Sequence, residues 1–218
     1  MERQHEKYER LIARCKALTP VPTAVAHPCD ETSLKGAVEA AELGILQPIL
    51  VGPKAKIEAV ATQFQLDISA YEISDAPHSH AAADLAVQLA REGKAEMLMK
   101  GSLHTDELMG AVVRTATGLR TERRISHAFI MDVPSLDRAI VVTDAAINIF
   151  PTLEDKVHIV QNAIDLVCAL GFEQPKVAIL SAMETVNPKV QSTIEAAALC
   201  KMADRKQITG GVLDGPLA

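Results

Sequence analysis

Hydrophobic residues recur along this chain at two spacings, one typical of helices and the other typical of buried strands. Apolar positions three and four residues apart predict helices over residues 2–18, 32–43, 53–63, 79–93, 105–116, 152–170 and 187–203. Short apolar runs between them predict strands over residues 23–27, 48–52, 71–74, 97–99, 127–134, 138–146, 176–182 and 208–215. This alternation predicts an α/β fold with largely parallel sheets and helices on their faces.

Polar residues and glycines mark where several of these elements begin and end. Asp30 is placed to cap the second helix and Gly44 to end it, while Thr152 and Asp155 have the spacing of a capping box. The two strands between 127 and 146 are joined only by the sequence PSLD, which predicts an antiparallel hairpin.

The helix and strand pattern loosens between residues 116 and 126, in the sequence ATGLRTERRIS. We therefore place a domain crossing there. The predicted domains are a first α/β domain over residues 1–118 and a second α/β domain over residues 119–218, incomplete at its end.

Composition and charge exclude several classes of protein. A net charge of −6 over 218 residues argues against a general nucleic-acid binder. No apolar run is long enough to cross a membrane, and the charged N-terminal sequence is unlike a secretory signal. The four cysteines are far apart, which favours buried thiols in a reduced cytoplasmic protein over disulfides or a zinc site.

Polar side chains follow four of the predicted strands. They are Lys100, Ser102, His104 and Thr105 after the apolar run 97–99, Asp144 and Asn148 after the run 139–143, Ser181 after the run 177–180 and Asp214 after the run 210–213. One polar residue after a strand is usually a turn former or a helix cap. Four sets at the same end of alternating elements predict a polar cleft, because ligands of parallel sheets bind outside the carboxyl ends of the strands.

The familiar nucleotide, phosphate, esterase and metal motifs are absent from the sequence. Basic residues instead concentrate in one stretch of an acidic chain: Lys100, Arg114, Arg120, Arg123 and Arg124. This stretch is either a solvated face or an anion site in which guanidinium groups bind phosphate oxygens.

Three long segments carry a resemblance to a known family. They are KGSLHTDELMGAVV, VVTDAAINIFPTLEDKVHIVQNA and KVAILSAMETVNPKVQSTIEAAAL. The chain resembles the phosphate acetyltransferase and phosphate butyryltransferase family over almost its whole length. It is most similar to butyryl-type members and to proteins that carry this domain after an enoyl-CoA-hydratase-like one.

The resemblance implies a fold, a reaction and an assembly. The fold is the two-domain, three-layer α/β/α arrangement of isocitrate and isopropylmalate dehydrogenases, and the reaction is acyl-CoA plus phosphate giving acyl phosphate plus CoA. Coenzyme A is then a substrate, no cofactor is tightly bound, no metal is needed, and the protein is a homodimer or larger homo-oligomer.

We therefore assign candidate roles to the strand-end residues and to Arg114 of the basic stretch. The candidate catalytic residues are His104, Asp144 and Ser181, with His104 a hydrogen-bond donor or proton carrier, or else a structural residue. The candidate substrate-binding residues are Lys100, Ser102, Thr105, Arg114, Asn148 and Asp214.

One feature departs from the family. Its members carry a further C-terminal segment with a Ser-Arg pair and an Asp that are associated with phosphate and the CoA thiol, whereas this chain stops at Ala218. We therefore expect the 218-residue chain to be close to inactive, and the base that activates the thiol is left unassigned. The alternatives are an impaired CoA-binding fragment, and an isocitrate-type dehydrogenase, for which no matching aspartate cluster is found.

Overall fold

A computed structural model describes residues 6–218, which divide into two compact units, residues 6–121 and residues 122–218. Residues 2–5 of the first predicted helix lie outside the described residues. In the described part of the chain, no helix is both long enough and apolar enough to cross a membrane.

The first unit alternates helices and strands. Its elements are α1 (Glu6–Lys16), β1 (Val21–Ala26), α2 (Glu31–Glu42), β2 (Leu46–Gly52), α3 (Lys54–Gln63), β3 (Glu72–Asp75), α4 (Ser79–Arg91), β4 (Met97–Lys100) and α5 (Thr105–Val112). The predicted cap and stop of the second helix are confirmed. Asp30 accepts a 2.8 Å hydrogen bond from the Ser33 amide, and Gly44 has the left-handed φ of 72° that suits a residue after a helix.

The strands of this unit form one parallel sheet in the order β3-β2-β1-β4. Strand β1 is central, with Ala26 opposite Val51 of β2 on one side and opposite Lys100 of β4 on the other. The chain therefore builds the sheet outward from β1 in one direction and then crosses back to add β4 on the other side.

Helices cover both faces of this sheet. Successive β1 side chains point to opposite faces, so each face presents apolar side chains to a layer of helices. Ala24 packs in a core with Leu108 and Ala111 of α5 and with the apolar face of α4. Val25 packs in a second core with Leu34 of α2 and with residues of α3. The loops after β1 and β4 consequently lead to opposite faces.

Strand β4 differs from its prediction. Its run of apolar residues predicted a buried strand, but the strand lies at the sheet edge and Met97 is 39% exposed. An edge strand has a neighbouring strand on one side only. Apolar side chains that the sequence pattern assigns to the core therefore stay partly exposed to solvent.

The second unit is a mixed α/β structure. Its elements are β5 (Ala128–Met131), β6 (Ile140–Thr143), α6 (Leu153–Ala169), β7 (Lys176–Leu180), α7 (Gln191–Asp204) and β8 (Val212–Leu217). The predicted antiparallel hairpin is confirmed, with Ala128 opposite Thr143, and β7 pairs with β8 in parallel. The core between α6, α7 and the β7–β8 pair contains Ile164, Leu199 and Ile208.

The predicted capping box of α6 is also confirmed. Thr152 accepts a hydrogen bond from the Asp155 amide at its Oγ1, and its own amide donates to the Asp155 carboxylate at 2.9 Å. These bonds satisfy backbone donors that the first turn of a helix leaves unpaired.

Strand β8 begins four residues later than predicted. Gly210 has φ +84°, which is not a strand conformation, and Gly211 packs so closely on Ile164 that a side chain there would overlap it. The glycines form a turn, and pairing begins at Val212. Asp214 therefore lies within the strand, opposite Ala178, so its predicted position after a strand is wrong.

The cysteines are unpaired, as predicted, but their predicted burial is wrong. Cys168 is exposed, while Cys15, Cys29 and Cys200 are partly buried. Burial, followed by the charges of Asp214 and Asp204, raises the pKa of Cys200.

Candidate active site

The candidate site of the first unit lies at the carboxyl ends of β1 and β4. These strands are neighbours, yet the loops that follow them lead to helices on opposite faces. Such a switch point opens a crevice outside the strand ends, where ligands of open α/β sheets bind.

The two loops are joined at this edge by a short hydrogen-bonded network. The amides of Gly101 and Ser102 donate to the carbonyl oxygens of Ala26 and His27 at 2.8 and 2.9 Å. The Ser102 hydroxyl donates to the His27 carbonyl at 2.9 Å and lies 3.1 Å from His27 Nδ1. The Cys29 amide also donates to Ser102 Oγ, at 3.3 Å.

His27 has an unusual backbone conformation for a residue with a side chain. Its φ is 55°, in the left-handed region that non-glycine residues rarely adopt. Such conformations persist when surrounding bonds hold them and are frequent at functional sites. Here the bonds to Ser102 provide that restraint. His27 is the last residue of a predicted strand and was not among the predicted site residues, although a histidine directly after a buried apolar run was the available signal.

Lys100 and His104 shape the loop after β4. Lys100 Nζ donates to the carbonyl oxygens of Gly101 and Leu103 at 3.1 and 2.7 Å. The His104 amide donates to Glu107 at 2.7 Å at the start of α5. Their predicted substrate and catalytic roles stay predictions. These contacts show that both residues also position the loop.

The Glu107 carboxylate is bound by several donor groups. It accepts hydrogen bonds from Ser79 Oγ at 2.6 Å and the His104 amide, and it pairs with His80 Nδ1 at 2.8 Å. The Ser79 hydroxyl and then the His104 amide hold the pKa of Glu107 below its usual range. Glu107 therefore ties the start of α4 to the start of α5 and stays ionised at neutral pH.

The structure brings Thr105 to the same edge and separates Arg114 from it. Thr105 is the first residue of α5, whereas Arg114 lies beyond the C-terminal end of this eight-residue helix, which rises about 12 Å. Arg114 pairs with Asp84 of α4 at 3.0 Å, and each side chain is half exposed. Its predicted role in substrate binding stays a prediction.

In the second unit, Asp144 and Asn148 lie together in the loop after β6. Asp144 accepts hydrogen bonds from the amides of Ala146, Ile147 and Asn148 and from the Asn148 side chain. Burial alone would raise the pKa of Asp144, but these hydrogen bonds outweigh it and lower the pKa. The carboxylate therefore fixes this loop.

Arg124 extends this cluster. Its Nε donates to Asn148 Oδ1 at 2.5 Å, and its Nη1 lies 3.0 Å from the Asp155 carboxylate at the start of α6. Neighbouring Arg123 bonds to Asn162 and Asp165, each at 3.1 Å. Carboxylate partners therefore offset the charge of these arginines, which favours the solvated-face interpretation for them. Arg120 has no side-chain partner among residues 6–218.

Ser181 follows β7 as predicted. Its hydroxyl lies 2.7 Å from that of Ser192 on α7, and its amide donates to the Leu217 carbonyl of β8 at 2.7 Å. Among the residues that the structure describes, Asp214 accepts only a local bond from the Gly215 amide, and it is exposed. Within residues 6–218, no group of three or more metal-binding side chains comes together.

Comparison with known proteins places these residues in a family. The family model for phosphate acetyl/butaryl transferase matches residues 79–218. The chain belongs to this family. The match begins at α4 and includes all the predicted site residues, from Lys100 to Asp214. The family resemblance stated from the residues is thus confirmed. The greater similarity to butyryl-type members is wrong, since a phosphate acetyltransferase is 66% identical to this chain and the phosphate butyryltransferase of Clostridium beijerinckii is 41% identical.

Individual relatives agree with the family assignment. The phosphate acetyltransferase of Rhizobium meliloti is 66% identical over 99% of this chain, which spans 68% of that protein. The phosphate acetyltransferase of Rickettsia prowazekii (strain Madrid E) is 55% identical over 95% of this chain, which spans 60% of that protein. The chain thus spans about two thirds or less of the length of these transferase-family relatives.

A solved structure shares the fold. A phosphotransacetylase from Streptococcus pyogenes superimposes with a TM-score of 0.78, at 18% sequence identity, over 96% of this chain and 72% of that one. This similarity confirms the coarser part of the fold prediction, an α/β fold with parallel sheets.

Proposed function

We propose that this protein is a phosphate acyltransferase that exchanges the acyl group of an acyl-CoA with inorganic phosphate, giving an acyl phosphate and CoA. The observation that carries the proposal is the family match over residues 79–218. The identity of 66% to a phosphate acetyltransferase supports a transferase over an isocitrate-type dehydrogenase. CoA is a substrate in this proposal and not a bound cofactor.

The switch point of the first unit suits part of this reaction. Acyl exchange between a thiol and a phosphate requires two anionic substrates to be held side by side, and such positioning is worth roughly 7–11 kcal/mol of barrier. Lys100, Ser102 and Thr105 supply an ammonium group and two hydroxyl groups at one sheet edge. We assign them to the acyl phosphate and His104 to the developing oxyanion, in the role of a hydrogen-bond donor.

We also extend the proposal to the second unit and to the assembly. Asp144, Asn148 and Ser181 are assigned to the same reaction, Asp144 through the loop that it fixes. The complete architecture is proposed to be the two-domain, three-layer arrangement of isocitrate and isopropylmalate dehydrogenases, and the protein to be a homodimer. Sedimentation at tens of micromolar tests the dimer, and a monomer alone would contradict it.

The activity is tested by release of the CoA thiol from acetyl-CoA and from butyryl-CoA, in the 218-residue chain and in a version that carries the family's C-terminal segment, in which the variants below are made. Thiol release should require phosphate, fail with sulfate, and produce an acyl phosphate that hydroxylamine traps as a hydroxamate. Ser102→Ala should lower turnover at least tenfold, while Ser135→Ala, at an exposed serine in the hairpin turn, should not. A parallel CoA-binding titration separates an enzyme from a protein that only binds CoA, and phosphate-independent thiol release would contradict the proposal.

A further inference from the structure

His80 and Glu107 form a histidine–carboxylate pair where α4 and α5 begin. His80 Nδ1 lies 2.8 Å from Glu107 Oε1, and the Glu107 side chain is only 10% exposed whereas that of His80 is 73% exposed. Two further donors hold Glu107, Ser79 Oγ at 2.6 Å and the His104 amide at 2.7 Å. The carboxylate is therefore a fixed acceptor, and the imidazole ring that it binds stays open to solvent.

The hydrogen in this contact belongs to His80. The Ser79 hydroxyl and then the His104 amide hold the pKa of Glu107 below its usual range, so the carboxylate carries no hydrogen at neutral pH. A hydrogen bond between a nitrogen and an ionised carboxylate then requires the hydrogen on Nδ1, and the neutral ring has its lone pair on Nε2. Among residues 6–218, Nε2 of His80 has no hydrogen-bond partner, so this lone pair is free to react.

The neighbouring His78 lacks this arrangement. Its ring centroid lies 6.2 Å from that of His80, but its Nδ1 accepts a hydrogen bond from the Ala81 amide at 3.2 Å. Neutral His78 therefore carries its hydrogen on Nε2, and its lone pair on Nδ1 is already used. Of these two adjacent rings, only His80 presents a free nucleophilic nitrogen.

The two oxygens of Glu107 join His80 to the candidate site. Oε1 binds His80, and Oε2 binds the amide of His104, which the proposed function assigns to the developing oxyanion. The next residue, Thr105, is assigned to the acyl phosphate. The proposed reaction thus forms a mixed anhydride of a carboxylic acid and phosphoric acid near this ring, and such an anhydride is an activated phosphoryl donor.

We propose that His80 is a phosphorylation site that takes the phosphoryl group of an acyl phosphate at Nε2, an inference that rests on the proposed function for its donor. Nε2 attacks phosphorus, so a nitrogen–phosphorus bond forms as the bond between phosphorus and the acyl oxygen breaks. The acyl group leaves as a carboxylate ion with the electron pair of the broken bond. Nδ1 keeps its hydrogen, and the ring becomes an imidazolium that carries a phosphoryl dianion.

Glu107 is the positioning residue in this step. By accepting the Nδ1 hydrogen it fixes the tautomer, and its negative charge stabilises the positive charge that develops on the ring. A carboxylate that orients the base of a catalytic triad acts in the same way, although the imidazole here attacks phosphorus instead of accepting a proton. Phosphorylation of His80 is a modification of the protein and not a step of the acyl transfer.

Acetyl phosphate added in excess to the 218-residue chain at pH 8 tests the site without any turnover. Mass spectrometry should show an increase of about 80 Da for one phosphoryl group, and fragmentation should place it on His80. The group should be lost in dilute acid and kept in dilute alkali, as a nitrogen–phosphorus bond requires, whereas phosphoserine at Ser79 would survive acid. An increase of about 42 Da alone would mean acetylation and would overturn the proposal.

Variants of the pair and of matched residues locate the effect. His80→Gln should abolish the label, whereas His158→Gln on α6 should keep it. Glu107→Gln should slow initial labelling about tenfold or more, because a neutral amide does not stabilise the imidazolium as a charged acceptor does. Asp106→Asn removes an exposed carboxylate next to Glu107 and should change the rate by less than about twofold, because solvent screens that charge. If Glu107→Gln fails to fold by circular dichroism, His80→Gln still decides, since its side chain is mostly exposed.

The outcomes separate this inference from the proposed function. No phosphohistidine, or a label retained in His80→Gln, would overturn the site while turnover of the version with the C-terminal segment keeps the transferase. Labelling of Glu107→Gln at the wild-type rate would overturn the role of Glu107. Phosphorylation of His80 without turnover in the longer version would overturn the proposed function and keep the site as a target of acyl phosphates. Neither phosphorylation nor turnover would overturn both.

Discussion

Replacing Gly101 with alanine should test the junction between β1 and β4 directly. A Cβ at this position would lie 2.6 Å from the carbonyl carbon of His27 and would overlap the carbonyl oxygens of Ala26 and His27. These are backbone atoms, so no side-chain rotation relieves the overlap, and the loop after β4 must move away from β1.

The loss in the free energy of unfolding can be estimated from the interactions that this movement would break. The hydrogen bonds from the Gly101 and Ser102 amides to β1 would be lost or stretched, at about 1 kcal/mol each. Overpacking adds roughly 1–3 kcal/mol. The expected loss is therefore about 3–5 kcal/mol in the free energy of unfolding. With an m value of about 2 kcal/mol/M, the urea midpoint should fall by roughly 1.5–2.5 M.

Urea unfolding followed by far-ultraviolet circular dichroism is the suitable assay, since the chain has no tryptophan. Gly110→Ala is the matched control. Gly110 lies inside α5, and no atom comes within 4 Å of the position that an alanine methyl group would take, so alanine there should stabilise by about 0.5–1 kcal/mol. A Gly101→Ala midpoint equal to the wild-type value would refute the close approach of the two loops.

Three further predictions concern the second unit and the segment before it. Thr152→Ala should cost about 1 kcal/mol in urea unfolding because it removes the side-chain cap of α6, and Thr152→Ser should largely restore it. Asp144→Asn should lower the urea midpoint at pH 7 but have little effect at pH 2–3. The pKa of Asp144 is lowered on folding, so its stabilisation exists above the usual value of 3.8 and is lost as pH falls through the folded pKa. Trypsin should cut first after Arg120, which is exposed in a segment without helix or strand. The two fragments should correspond closely to the two predicted domains.

Each of these predictions has a clear contrary result. An unchanged midpoint for Thr152→Ala would mean that the cap adds nothing to α6. A defect of Asp144→Asn that persists undiminished at pH 2–3 would show that shape, and not the charge on the carboxylate, holds the loop. A first tryptic cut inside α4 or α6 would contradict a domain boundary after residue 118.

Features that depend on near neighbours in the chain were predicted correctly from the residues alone. Helix and strand periods, the cap at Asp30, the capping box at Thr152 and the hairpin around PSLD were all predicted and are present. Such features arise from backbone hydrogen bonds and side chains within a few residues, so the local pattern is sufficient. The family resemblance was likewise carried by contiguous segments.

Which distant residues lie together depends on the pairing of strands that are far apart in the chain. Strand order sets β4 beside β1, and this brings Ser102 to His27 across 75 residues. The same level of structure paired Arg114 with Asp84 and moved Asp214 from a strand end to a strand interior. These outcomes depend on which strands pair and in which register, and pairing energy is summed over whole elements. No local pattern of residues contains that sum, so the contact between Ser102 and His27 became visible only when the sheet was assembled.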